Sequence, residues 1–119
     1  NLYFQTYRGA YIRLIKDDTT KRRAKEGQEV VFRCYSYDLD GNLVGDNHSH
    51  SEFRDGLVFV YTPGSDDPSI GTAWIDAVGC IHHGTEFELI IDSKLGETAQ
   101  REEVFTIRAI VDETSIRNQ

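Results

Sequence analysis

Only one stretch of this chain reads as a helix, and that limits its possible folds more than any other feature. From about Thr72 to Ile81, the residues Trp74, Val78 and Ile81 fall at i, i+4 and i+7 and form a single apolar stripe. Thr72 can cap its start, and Gly79 weakens its last turn. Most other apolar residues lie in short runs rich in β-branched and aromatic side chains: Tyr11 to Lys16, Val30 to Tyr37, Leu57 to Tyr61, Phe87 to Ile91 and Val104 to Val111. Asp40-Gly41 supplies the positive-φ residues of a tight hairpin, and Asn42 to Gly45 begins the return strand. Polar or Pro/Gly-containing stretches at Asp17–Lys25, Asp46–Asp55, Pro63–Pro68 and Lys94–Arg101 read as loops. Many strands with one amphipathic helix predict an α+β domain: a curved antiparallel sheet of five or six strands wrapped around one short helix.

Asn1 to Gln5 read Asn-Leu-Tyr-Phe-Gln, the body of a common protease-cleavage tag, and are set aside from the fold. Residues 6–119 fit one domain with a modest core. The chain does not open on Met, so a leader, an anchor or a further domain can have been removed. No apolar run approaches the roughly 18 residues of a membrane span. With 20 acidic and 13 basic residues the net charge is −7, which repels a phosphate backbone and argues against nucleic acid as a partner. The basic run Lys21-Arg22-Arg23 with Lys25 reads as a solvated loop. Cys34 and Cys80 are too few for a disulfide scaffold and too far apart for a CxxC site, so both read as buried free thiols.

The candidate chemistry is sparse. Asp38-x-Asp40-Gly41-Asn42 has its glycine at position 4 rather than 6, and Ser49 stands where a calcium loop needs glutamate; the segment is a hairpin turn. His48 and His50 with Asp46, and the pair His82-His83, hold the ingredients of a metal site. His-x-His on an extended segment puts both rings on one face. No cysteine-rich partner motif accompanies them, so they read as surface histidines, with a metal-binding module through His48 and His50 as the minor alternative. There is no serine elbow, no carboxylate pair framed by apolar sequence and no Gly-rich phosphate loop; no cofactor is called for.

Several segments, in order, resemble the FKBP-type peptidyl-prolyl cis-trans isomerase domain. Gly27-Gln28-Glu29-Val30-Val31-Phe32 is similar to the opening of that family's second strand, and Tyr37 to Asn42 to its Asp-Gly hairpin. Ala73-Trp74-Ile75-Asp76-Ala77-Val78 followed by His83-Gly84-Thr85 resembles its helix and trailing turn, and Leu89-Ile90-Ile91 and Val104 to Ile107 its last two strands. The resemblance covers most of residues 8–112. It implies a prolyl pocket lined by Phe59, Trp74 and Phe105, with Trp74 as the floor. It also puts Cys34 where a pocket tyrosine lies, Val44 in place of a wall phenylalanine, and Gly45 in place of an aspartate, with Asp46 one residue late. Ile70 fits the first residue of a pair whose amide receives a ligand carbonyl, and Gly71 replaces the second. Leu95-Gly96 stands where the family has a Tyr-Gly and a long flap. An ordinary core would account for the same aromatic residues. Isomerisation needs no nucleophile, only an apolar cradle that weakens amide resonance, and each ~1.4 kcal/mol removed from the barrier is tenfold in rate. The expectation is a domain that binds proline-containing peptide or protein segments, with isomerase activity weak or absent; a working isomerase is the alternative.

Overall fold

Seven strands form among the described residues, 2–48 and 56–117, of a computed structural model. They are β1 (Tyr3–Gln5), β2 (Tyr11–Lys16), β3 (Glu29–Tyr37), β4 (Leu43–Asp46), β5 (Leu57–Val60), β6 (Glu86–Ile91) and β7 (Ile107–Ile116). All pairings are antiparallel, in the order β1-β2-β6-β7-β3-β4. β5 shares the outer edge of β3 with β4, pairing at its Glu29–Phe32 end while β4 takes Tyr35–Tyr37. One main helix, α1 (Thr72–Val78), buries Ala73, Trp74, Ile75, Ala77 and Val78. The result is the α+β architecture expected, a sheet closed over one helix.

Strand alternation builds the core. Val30, Phe32 and Cys34 of β3 point inward with Phe87, Leu89 and Ile91 of β6, and all six are fully buried. Phe32 is the hub: its ring lies 5.5 Å from Trp74, 5.9 Å from Phe59 and 5.2 Å from Phe87, the last edge-on. Arg8 ties the β1–β2 hairpin to the helix, its Nε and Nη2 reaching the Asp76 carboxylate at 2.9 and 2.8 Å.

Several boundaries differ from expectation. Tyr3–Gln5, set aside as a tag, forms an edge strand on β2, and the Tyr3 hydroxyl donates to Glu88 Oε1 at 2.5 Å. The helix stops at Val78, and Thr72 does not cap it. Gly71 occupies that position, and the Thr72 Oγ1 is buried with no hydrogen-bond partner among the described residues. Residues 93–103 are no simple loop: a 3₁₀ turn (Ser93–Leu95) leads into a second short helix, α2 (Thr98–Glu103). The last strand begins at Ile107 and continues past Val111, through a register shift opposite Arg33 and Cys34, to Ile116. In the β3–β4 turn Gly41 has positive φ and Asp40 does not.

Some polar residues are also more engaged than a solvated surface implies. Arg22 donates Nε and Nη2 to the carbonyl of Ile116. His82 is buried, with Nδ1 2.9 Å from Asp17 Oδ1, so it is not a surface histidine. Burial pushes the Asp17 carboxyl up, but hydrogen bonds from Thr85 and His82 outweigh this and hold it below the ordinary aspartate range. Cys34 is buried and Cys80 half-buried, and both are free. No helix among the described residues is long and apolar enough to cross a membrane.

Candidate functional site

The end of β3 that pairs with β4, the start of α1, the start of β7 and α2 converge on one cavity. It holds about 140 Å³ and is lined by Trp74, Val44, Leu57, Ile70, Phe105 and Ile107, with Ser36, Gly45, Asn47, Glu97 and Gln100 as its polar or small members. That is well below the ~300–1,000 Å³ of pockets that enclose drug-sized ligands. Its size suits one ring or side chain of a longer molecule.

Each wall has a local cause. A register shift between Ser36 and Tyr37 leaves Val44 as the extra residue of β4, with Gly45 opposite Ser36. Phe105 is held from behind: the buried Gln100 side chain donates Nε2 to the carbonyls of Phe105 (3.1 Å) and Ile91 (2.9 Å). Two glycines let α2 approach the helix start. Gly71 has φ +100°, and a Cβ there would lie 2.6 Å from the Gly96 carbonyl carbon. A Cβ on Gly96 would lie 1.9 Å from Gln100 Oε1. Val104, between α2 and Phe105, sits in the left-handed region (φ 56°, ψ 63°), a strained place for a β-branched residue.

Four of the residues named from sequence meet here: Val44, Ile70, Trp74 and Phe105. Four do not. Phe59 is packed in the core against Phe32, and Leu57, two residues earlier on the same face of β5, takes its place in the wall. Cys34 is likewise one inward step too deep, and Ser36 faces the cavity instead. Burial raises the Cys34 thiol to about 12 despite hydrogen bonds with the side chains of Asn47 and Ser36, so it stays protonated at neutral pH and is no nucleophile. Asp46 falls opposite Tyr35, on the other face, and accepts from the His48 backbone N–H at 2.8 Å. Leu95 lines a separate hollow with Arg8, Tyr11 and Ile90.

The amides of the Ile70–Gly71 pair have partners already. Both donate to the carbonyl of Asp67, at 3.2 and 2.9 Å. As for metal, His48 stacks on Tyr35 (centroids 4.7 Å apart) and places Nε2 2.6 Å from Asp112 Oδ1; His50 lies outside the described residues. Among the described residues, no group of three or more His, Cys, Asp or Glu side chains is arranged to hold an ion.

No protein-family model and no curated protein matches the sequence. The fold, however, is shared with solved structures. A DUF4827 family protein from Parabacteroides distasonis aligns with a TM-score of 0.73 at 14% identity, over 97% of this chain and 74% of that one. The three FKBP domains of wheat FKBP73 give 0.67 at 13%, over 92% of this chain and 47% of that one. A peptidyl-prolyl cis-trans isomerase PPIase from Pseudomonas syringae pv. tomato gives 0.64 at 13%, over 98% and 79%. The chain thus has an FKBP-like fold and spans about half the length of the three-domain wheat structure.

Proposed function

We propose that this domain binds an extended, proline-containing segment of a peptide or protein in the Trp74 cavity, and that it isomerises the prolyl bond slowly or not at all. The observation that carries the reading is a ring-sized hollow, with apolar walls around Trp74 and polar side chains beside them, whose neighbouring amide donors are already engaged. Trp74, Val44, Leu57, Ile70, Phe105 and Ile107 supply burial for a pyrrolidine ring. The amides of Ile70 and Gly71, which would direct a substrate carbonyl, point instead to Asp67 O. Neither Cys34 nor Leu95 puts a hydroxyl over the ring, and α2 with its short approach replaces a long covering flap. Binding of the ring is therefore favoured by burial, while the groups that would lower the ~18–20 kcal/mol peptide barrier are largely missing. Supporting the reading from outside is the likeness in fold to a protein described as a prolyl isomerase.

Trp74 is the only tryptophan, so its emission reports on the cavity directly. Proline-containing peptides should shift it saturably while an alanine counterpart does not. In parallel, an isomerase assay on a proline tetrapeptide, with refolding of a proline-limited protein as second substrate, should show rates far below those of an active FKBP. Full turnover would make the domain a working isomerase; no Trp74 response to any proline peptide would remove the binding role.

A further inference from the structure

The cavity does not end at Phe105. A second, more open hollow of about 360 Å³ adjoins it, and Val44 and Phe105 belong to the walls of both. Its other two sides are Asp38 and Glu103. The two hollows thus form one groove with an apolar floor and carboxylates along its margin: Glu97 at the cavity, Asp38 and Glu103 beyond it. The rim also exposes apolar surface, with Val44 48% exposed and Val104 74%. Glu97 and Glu103 make no ion pair among the described residues, and no described Lys or Arg lines either hollow. The Asp38 carboxylate accepts from the backbone N–H groups of Asp40 and Asn42 and from Asn42 Nδ2, which hold it below the usual aspartate range and keep it ionised. The nearby cations are turned to other work: Arg101 Nε donates to Gly96 O, and Arg108 lies over the Tyr37 ring and pairs with Glu88.

We propose that the occupant of this groove is a basic peptide segment, in which the residue entering the Trp74 cavity is flanked by lysine or arginine that meets Asp38, Glu97 and Glu103. The inference rests on the reading of the cavity as a peptide site and adds the charge of the ligand. Apolar burial alone would accept any proline-containing segment. Glu97 and Glu103, which have no ion pair among the described residues, and the ionised Asp38 discriminate among them, favouring cations and disfavouring acidic flanks.

Three proline peptides that share a core and differ only in Lys, Ser or Glu flanks test it, titrated against Trp74 emission at low salt. The Lys-flanked peptide should bind about three- to tenfold tighter than the Ser-flanked one, the range for two exposed ion pairs, and the Glu-flanked one more weakly still. Added salt should shrink the preference. In E97Q/E103Q the Lys-to-Ser ratio should fall toward one. In D18N/E26Q, which removes two charges from the 17–28 loop, the ratio should persist. Equal affinity for Lys and Ser flanks, or a ratio lost equally in both double variants, would overturn the proposal while leaving peptide binding intact. Failure of all three peptides would instead remove the peptide site itself, and the proposal with it.

Discussion

The backbone N–H of Ile116 donates to Nδ1 of His83 at 3.1 Å, so that ring must be unprotonated at this atom in the folded chain. Burial, and then the positive charges of Arg22 and Lys21, lower its pKa below the ordinary 6.5. The unfolded chain therefore takes up the proton first. Stability from this contact is intact above about pH 6.5 and declines as the pH falls from there toward the folded value. Urea midpoints measured at pH 8 and pH 5.5 should differ, and H83N, which keeps an acceptor but cannot titrate, should lose part of the difference. Cys34 and Ser36 give a second contrast. Both face inward, but Cys34 is fully buried and does not line the cavity, so C34Y should cost about 1–3 kcal/mol through overpacking. Ser36 borders the cavity, so S36Y should fold with a smaller loss and place a phenol hydroxyl beside Trp74. Chemical denaturation of the two variants ranks them, and the isomerase assay shows whether that hydroxyl restores turnover. Had C34Y been the milder change, the cavity wall would have to be redrawn.

Between elements, the Arg8–Asp76 pair joins the β1–β2 hairpin to α1, and Arg8 Nη2 also reaches Ser65 O at 2.8 Å. The Asp76 carboxylate is almost wholly buried, and R8A removes the guanidinium and leaves only the backbone N–H of residue 8, which donates to Asp76 Oδ2 at 3.1 Å. A loss of about 1.5–3 kcal/mol should appear in urea unfolding, and much of it should vanish when D76A is already present. At this scale the limits of the sequence are plain. Which face each strand turns inward was legible: Cys34 and Ser36 share a face, as do Leu57 and Phe59. How far along the strand the cavity lies was not, because a pattern of period two repeats without marking its position. Both misplaced wall residues are off by two. The sequence pattern ends β7 at Val111 for a related reason. After it the buried residues are Thr114 and Ile116, and the bulge near Asp112 breaks the alternation that identifies a strand. The segment Thr98–Glu103 offers no apolar stripe, and its helix depends on Gln100 reaching the carbonyls of Ile91 and Phe105. Trp74 and Phe105 were legible as cavity residues through the resemblance. Glu97 and Gln100 were not, since only the fold of α2 brings them there.

For the molecule as a whole, the sheet has two halves, β1-β2-β6 and β5/β4-β3, and β7 lies between them. It pairs with β6 from Phe87 to Ile91 on one side and with β3 from Val30 to Tyr37 on the other. Among the described residues no ladder joins β6 directly to β3. Removing residues 107–117 should therefore leave no cooperatively folding product, visible as loss of a sharp unfolding transition in circular dichroism, whereas trimming residues 1–5 should remove only an edge. The latest of the described strands in sequence is thus the one that stands at the centre. A ribosome making this protein would release β1 to β6 with their inward faces uncovered, and the two halves of the sheet, whose strands alternate along the chain, could not join until Ile107–Ile116 had cleared the exit tunnel. Folding of this domain waits for that strand to emerge, and during that interval the newborn chain depends on whatever shields exposed apolar strands around it.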